Sequence, residues 1–178
     1  MEKSKLKFKH LNTILMYVAI LFLVLSVVMY FFPFVTHIDK FSNTITRFSG
    51  YDFTRALSSN EQTSKMYALK SLLSTAKTSL PSHVIAYLGP TCCIFSVVMV
   101  VLTLLSRYNK KFNNMFVSGA FFAVWIVLAL SVVTLVGSMA VTKGTVVVNN
   151  YHLGFGAIVG CVLAVIASII NIVKSLKE

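Results

Sequence analysis

The sequence predicts an all-α membrane protein: a four-transmembrane-helix bundle with a small extracellular antiparallel β-sheet and a short amphipathic helix. Three observations support this fold class. Hydrophobic residues make up 57% of the chain and charged residues only 12%, a balance typical of integral membrane proteins. The hydrophobic residues are gathered into four long runs that contain no Asp, Glu, Lys, Arg or His. The segments between the runs show strand-like alternation or helical spacing.

The four apolar runs have the length of transmembrane helices. They cover residues 11–32, 84–106, 115–137 and 153–173. Each has about 22 residues, and at roughly 1.5 Å per residue such a helix spans a hydrocarbon core of about 30 Å. Because lipid offers no hydrogen bonds, the backbone of each run must bond internally, as a helix does. Residues 1–178 are therefore expected to form a single four-pass domain with an outer loop at 33–83 and an outer hairpin at 138–152.

The basic residues are concentrated on one side of the membrane in the predicted four-pass topology. They precede the first span, fill the short link between the second and third spans, and follow the fourth: Lys3, Lys5, Lys7, Lys9, Arg107, Lys110, Lys111, Lys174 and Lys177. The short link on the other side contains only Lys143. The positive-inside rule therefore predicts a plasma-membrane protein with cytoplasmic N- and C-termini. Membrane lipid, and not nucleic acid, is the expected partner of the net charge of +11.

The first outer loop is expected to contain two strands and one helix. Apolar and polar side chains alternate over residues 34–40, and a second strand-like stretch covers 43–49 before a turn at Gly50. Apolar residues then recur at helical spacing over 60–77. This pattern predicts an amphipathic helix that leads to Pro81 and the second span.

The second outer link is expected to form a β-hairpin. Its arms are Val141 and residues 146–148, and its turn lies at Lys143-Gly144. An isolated hairpin is only marginally stable, so strands from the two outer segments should combine into one antiparallel sheet.

The composition of the spans argues against chemistry at membrane depth. Proton-coupled transport needs ionisable groups there, and the spans have none. Residues such as Ser96 and Thr103 could line a neutral pathway, but hydroxyls in membrane helices more often bond within their own helix or to a neighbouring one. The cysteines, Cys92, Cys93 and Cys161, form no Cys-x-x-Cys pair. We therefore expect no enzyme, and assign no catalytic residue, cofactor site or metal ligand.

Small residues four positions apart mark two spans for close helix packing. They are Gly119 and Ala123 in the third span, and Gly156, Gly160 and Ala164 in the fourth. Such spacing lets another helix approach closely. Packing within the bundle is the favoured interpretation, and a docking face for a partner protein is the alternative.

Three histidines lie at the outer boundaries of the spans. His37, His83 and His152 adjoin the first, second and fourth spans. If they converged, they could bind a metal or sense pH. No short spacing between them favours this, so isolated interfacial histidines are the ordinary explanation.

The leading hypothesis is a non-enzymatic accessory, scaffold or interaction subunit that acts through its extracellular sheet. Its partner would be another membrane or envelope protein, or a second copy. Aromatic residues are enriched at binding hot spots, and the candidates in the first outer loop are Phe41, Phe48, Tyr51, Phe53 and Tyr67. Two alternatives remain: a transporter or channel subunit with a neutral pathway, and a metal or pH sensor that uses the boundary histidines.

The layout resembles that of the claudin and peripheral-myelin-protein superfamily, and that of bacterial four-pass proteins. The short motifs involved are Phe32-Pro33-Phe34, Ser49-Gly50-Tyr51-Asp52-Phe53 and Gly154-Phe155-Gly156. The resemblance implies a four-helix bundle under a small extracellular sheet. Claudins carry tryptophan and paired cysteines in the first outer loop, whereas this loop has neither and Trp125 lies in the third span. The resemblance therefore implies the fold and no junction-forming role.

Overall fold

The computed structural model describes residues 2–39, 43–60, 63–140 and 149–177. In these residues the chain is mostly helical and contains three strands and a short 3-10 helix at Lys110–Phe112. The longer elements are α1 Glu2–Met29, β1 Pro33–Asp39, β2 Thr44–Ser49, α2 Gly50–Ser58, α3 Ser64–Ser74, α4 Ala76–Leu105, α5 Met115–Ala140, β3 Asn149–Leu153 and α6 Phe155–Lys177.

Four helices are long and apolar enough to cross a membrane. The qualifying stretches are Leu11–Met29, Ala76–Leu105, Met115–Ser138 and Phe155–Leu176. The prediction of four long apolar helices is therefore confirmed. The second begins earlier than the predicted start at Val84 and continues through Pro81 and Pro90.

The four long helices pack as a closed ring. Helix α1 contacts α4 and α6, and α5 contacts the same two helices. The interior is filled by large side chains with at most 1% exposure, among them Leu23, Phe121, Trp125, Leu128 and Val132. On α5 these buried residues recur every three or four positions, which is the spacing of one helix face.

Three strands from two separated segments form one antiparallel sheet with the order β2-β1-β3. The central strand aligns His37 with Thr46 of β2 and with Tyr151 of β3. This confirms that strands from both outer segments combine into one sheet. The predicted hairpin arms at Val141 and 146–148 lie outside the described residues.

The predicted turn at Gly50 is wrong, because Gly50 begins the helix α2. The sequence signal for this helix is a capping box. Ser49 Oγ accepts a hydrogen bond from the backbone N–H of Asp52 at 3.2 Å, and Asp52 Oδ2 accepts one from the backbone N–H of Ser49 at 2.7 Å. These reciprocal bonds satisfy donors that the first turn of a helix leaves without partners.

The single helix predicted over 60–77 is also wrong, since the chain breaks at Thr75. That residue is extended, with φ −78° and ψ 127°, and it ends α3 and begins α4. Thr78 Oγ1 donates to the carbonyl oxygen of Leu72 at 2.6 Å. This bond satisfies one carbonyl that the end of α3 would otherwise leave free.

Candidate functional site

The candidate site is the cap, which we define as β1, β2, β3, α2 and α3. Helices α2 and α3 pack on α4, and β1 contacts α6. Large side chains that are fully buried in the cap include Phe34, Val35, Phe48, Phe53 and Leu69. Burial of one such side chain stabilises a fold by about 1.5–3 kcal/mol. The cap is therefore held on the bundle by an apolar core of its own.

Tyr30 joins the end of α1 to this core. Its ring fits between two glycines, since an added Cβ would lie 2.5 Å from a Tyr30 ring carbon at Gly50 and also at Gly89. Its hydroxyl lies 2.6 Å from Thr54 Oγ1. The two glycines therefore have a steric role: they admit an aromatic ring between α2 and α4.

A proline in α4 explains a second contact of Thr54, a hydrogen bond to the backbone of α4. Pro90 has no N–H, so it cannot donate to the carbonyl oxygen of Ala86, its usual partner one turn back. Thr54 Oγ1 of α2 lies 2.9 Å from that oxygen and donates to it. A side chain of the cap thus replaces the helical bond that α4 lacks.

Asp52 ties α2 to α3. In addition to its role in the capping box, it accepts from Lys65 Nζ at 2.8 Å. The Asp52 side chain is 14% exposed and that of Lys65 38%. Because both side chains are partly buried, this ion pair should stabilise the fold more than an exposed surface pair, which contributes at most about 1 kcal/mol.

Gly154 fixes the junction between β3 and α6. Its N–H donates to the carbonyl oxygen of Phe34 at 2.8 Å. A Cβ there would lie 2.1 Å from the carbonyl oxygen of Pro33. Only glycine allows the two backbones to approach this closely, so the Gly154 motif has a packing role.

The outward face of the sheet carries two rows of residues. The register aligns Arg47 with Thr36 and Thr36 with His152, while Ile45 aligns with Ile38 in the next row. Ile45 is 58% exposed. Among the described strands, β2 pairs with β1 alone and so forms an edge of the sheet. The backbone groups along such an edge are available to another strand.

The five aromatic candidates fall into different environments. Phe48 and Phe53 are fully buried, so they belong to the core of the cap and are not available to a partner. Tyr51 and Tyr67 are 46% and 77% exposed. Phe41 lies outside the described residues. Ile45, which the aromatic criterion missed, is exposed in the same cap, and strand alternation was the signal that could have identified it.

The structure does not bring the three boundary histidines together. His37 stacks on Tyr151 with ring centroids 4.5 Å apart, and burial raises the pKa of Tyr151. His152 lies on the opposite face of the sheet, next to Thr36. His83 Nδ1 lies 2.8 Å from the carbonyl oxygen of Ser79 within α4. Among the described residues, no group of three His, Cys, Asp or Glu side chains could hold a metal ion.

The small residues predicted to mark close helix packing also fall into two environments, buried and exposed. Gly156 and Gly160 are buried and Ala164 has no exposure, so the α6 residues lie inside the bundle. Gly119 is open, with nothing within 4 Å of an added Cβ, and Ala123 is exposed on α5. Packing within the bundle thus applies to α6, while the α5 pair lies on the outer surface.

Several hydroxyl groups of the long helices bond to their own helices. Ser96 donates to the carbonyl oxygen of Cys92 at 2.8 Å, and Thr103 to that of Met99 at 2.7 Å. Such bonds leave these hydroxyls with little capacity to bind a solute. All three cysteines are free.

A buried cation lies at the end of the bundle away from the cap. Lys174 is 7% exposed, and its Nζ donates to Ser106 Oγ at 2.8 Å. One turn away, Asn171 Nδ2 donates to Thr103 Oγ1 at 3.2 Å. Ser106 ends α4, where a positive charge is favoured by the helix dipole. The sequence predicts that Lys174 lies beyond the fourth span, and this contact was not predicted. Its signal is the three-residue spacing of Lys174 from Asn171.

Comparison of the chain with protein-family models, with curated proteins and with solved structures found no match. The claudin-like class therefore stays a prediction from the layout.

Proposed function

We propose that this chain is a non-enzymatic integral protein of the plasma membrane that acts as an accessory, scaffold or interaction subunit through its cap. In this proposal both termini are cytoplasmic and the cap is extracellular. The partner is another membrane or envelope protein, or a second copy of this chain.

The observation that carries the proposal is the edge that β2 forms among the described strands, beside an exposed apolar side chain. Every second residue of an edge strand directs its N–H and C=O away from the sheet. Ile45, on this strand, is 58% exposed on the outward face. An added strand would satisfy those backbone groups and cover Ile45, which is a common mode of protein recognition.

The arrangement of the bundle supports the same conclusion. The hydroxyls at Ser96, Thr103 and Ser168 bond to carbonyl oxygens within their own helices. They serve the helices that carry them, which favours a structural role for the bundle. The cap, by contrast, is built from two distant segments and presents strand backbone outward.

Photo-crosslinking in native membranes tests this proposal. A photoreactive amino acid placed at Ile45 should yield a discrete adduct whose second component mass spectrometry can identify. The matched control is Ile94, which is 67% exposed on a long apolar helix. We expect an adduct with protein at position 45 and adducts with lipid alone at position 94. Labelling of lipid alone at both positions would contradict the proposal.

A substitution within the edge sharpens the test. Thr46 is aligned with His37 and directs its backbone groups to β1, so those of Arg47 face away from the sheet. Arg47→Pro therefore removes an outward N–H from β2, whereas Arg47→Val keeps it. If the partner adds as a strand, the proline variant should lose the position-45 adduct and the valine variant should retain it. Equal adduct yields from two folded variants would argue against strand addition.

A further inference from the structure

A groove on the outer surface of the bundle lies between α4 and α5, close to the cap. Its volume is about 220 Å³. The lining residues are Leu80, Pro81, Val84, Val127, Leu130, Ser131 and Thr134. Leu80 and Leu130 are 76% and 58% exposed, so the groove opens outward, away from the interior of the bundle.

The walls of the groove are apolar although two of its residues carry hydroxyls. Ser131 Oγ donates to the carbonyl oxygen of Val127, and Thr134 Oγ1 to that of Leu130, each at 2.8 Å. Both donors are thus used within α5. A bound water needs two to four polar partners, so this groove suits a hydrocarbon chain better than water or a polar solute.

A positive charge lies on α4 about one turn from the groove. Lys77 is exposed and lies three and four residues before Leu80 and Pro81, a spacing that places it on the same side of α4. Helical side chains lean toward the N-terminus of their helix, which for α4 is the end that carries the cap. The Lys77 side chain is therefore expected to extend from the groove toward the cap end of α4.

An acyl chain matches the groove in chemistry. Its hydrocarbon is apolar, as the groove walls are, and it is narrower than a helix with side chains, which is about 10 Å wide. Acyl chains are also present wherever this surface meets a bilayer.

We propose that the groove binds one acyl chain of an anionic phospholipid from the leaflet on the cap side, with the lipid phosphate beside Lys77. The groove supplies the apolar contacts and Lys77 supplies the preference for negative charge. The site depends on neither the β2 edge nor the identity of any protein partner.

Native mass spectrometry of the purified full chain in detergent tests this site. The protein is titrated with phosphatidylglycerol and, separately, with phosphatidylcholine. Ser131→Phe fills the groove from α5. The matched control is Thr91→Phe, since Thr91 is also exposed and donates to its own helix, to the Tyr87 carbonyl oxygen at 2.9 Å.

We expect Ser131→Phe to weaken phosphatidylglycerol binding about tenfold, equal to about 1.4 kcal/mol, while Thr91→Phe leaves it unchanged. Lys77→Gln should abolish the preference for phosphatidylglycerol over phosphatidylcholine. If Ser131→Phe fails to fold, Val84→Phe fills the same groove from α4. Equal binding by the two Phe variants would overturn the proposal, as would a lipid preference that Lys77→Gln leaves intact. So would loss of a dimer, and not of lipid, in Ser131→Phe.

Discussion

Helices α5 and α6 carry the same spacing of small residues, but only one of them uses it inside the bundle. A Cβ added at Gly156 of α6 would lie 2.8 Å from the carbonyl oxygens of Met29 and Phe32. A Cβ added at Gly119 of α5 would meet nothing within 4 Å. The backbone at the end of α1 covers the first glycine, and no described residue covers the second.

The difference shows that small residues permit close packing without specifying what packs there. What decides the outcome is the element opposite. At Gly156 this is the turn that carries the chain from α1 into β1, which must approach α6 so that β1 can pair with β3. The glycine that another element covers, Gly156, therefore lies next to the cap. Substitutions at covered positions should affect stability more than substitutions at uncovered ones.

The largest expected effect is that of Gly156→Ala compared with Gly119→Ala. Overpacking a tight contact costs about 1–3 kcal/mol, and here two backbone carbonyls would have to move. At the open position alanine should be neutral or stabilising, because it favours helix by about 1 kcal/mol over glycine. The midpoint of thermal unfolding in detergent measures both. A fall of equal size in the two variants would contradict the comparison.

The next effect concerns a hydroxyl beneath the cap and a matched one on the outer surface. Thr54→Val leaves the Ala86 carbonyl, which Pro90 cannot satisfy, without its donor from α2. An unsatisfied buried acceptor costs about 1–3 kcal/mol. Thr91→Val removes only a bond within α4 and should change the unfolding midpoint little. If Thr91→Val lowered the unfolding midpoint as much as Thr54→Val, the bond from Thr54 to the Ala86 carbonyl would make no special contribution to stability.

A smaller effect is expected within the cap. Asp52→Asn weakens both the capping box and the contact with Lys65, and loss of an N-terminal helix contact of this kind costs about 1 kcal/mol. Lys65→Met should cost less, because Lys65 makes only one of these contacts. Proteolysis of the cap in intact vesicles reports the change. The double variant should be little worse than Asp52→Asn alone, and strict additivity would show that the two contacts are independent.

The smallest effect is expected at the opposite end of the bundle. Asn171→Leu removes the hydrogen bond to Thr103 between α6 and α4. Interhelical hydrogen bonds in membrane proteins average only about 0.6 kcal/mol. Chemical unfolding in mixed micelles should show a change of this order. A loss of several kcal/mol would mean that Asn171 has a role beyond this bond.

The predictable part of the fold came from patterns that depend on local sequence. Apolar runs located the four long helices, and alternation located β1 and β2. The start of α2 was also encoded locally, by Ser49 and Asp52, but the glycine between them suggested a turn. The division at Thr75 was missed because the apolar spacing continues through it.

The parts that could not be predicted depend on contacts between distant residues. Phe48 and Phe53 are aromatic, as residues at binding hot spots often are. They belong to the buried core only because α2 packs against the sheet. The bond from Thr54 to Ala86 depends on the position of a proline in another helix. The α4–α5 groove likewise exists only once the two helices are side by side.

The position of β1 in the middle of the sheet sets an order for biogenesis. Its pairing with β2 needs only the first outer loop, but its second edge must wait for β3, which follows α5 in the chain. Nascent chains that stop before Asn149 therefore carry a strand with an unpaired edge, the kind of surface that promotes aggregation. Because β3 lies directly before α6, the edge of β1 can close only when the chain has been made as far as the last long helix.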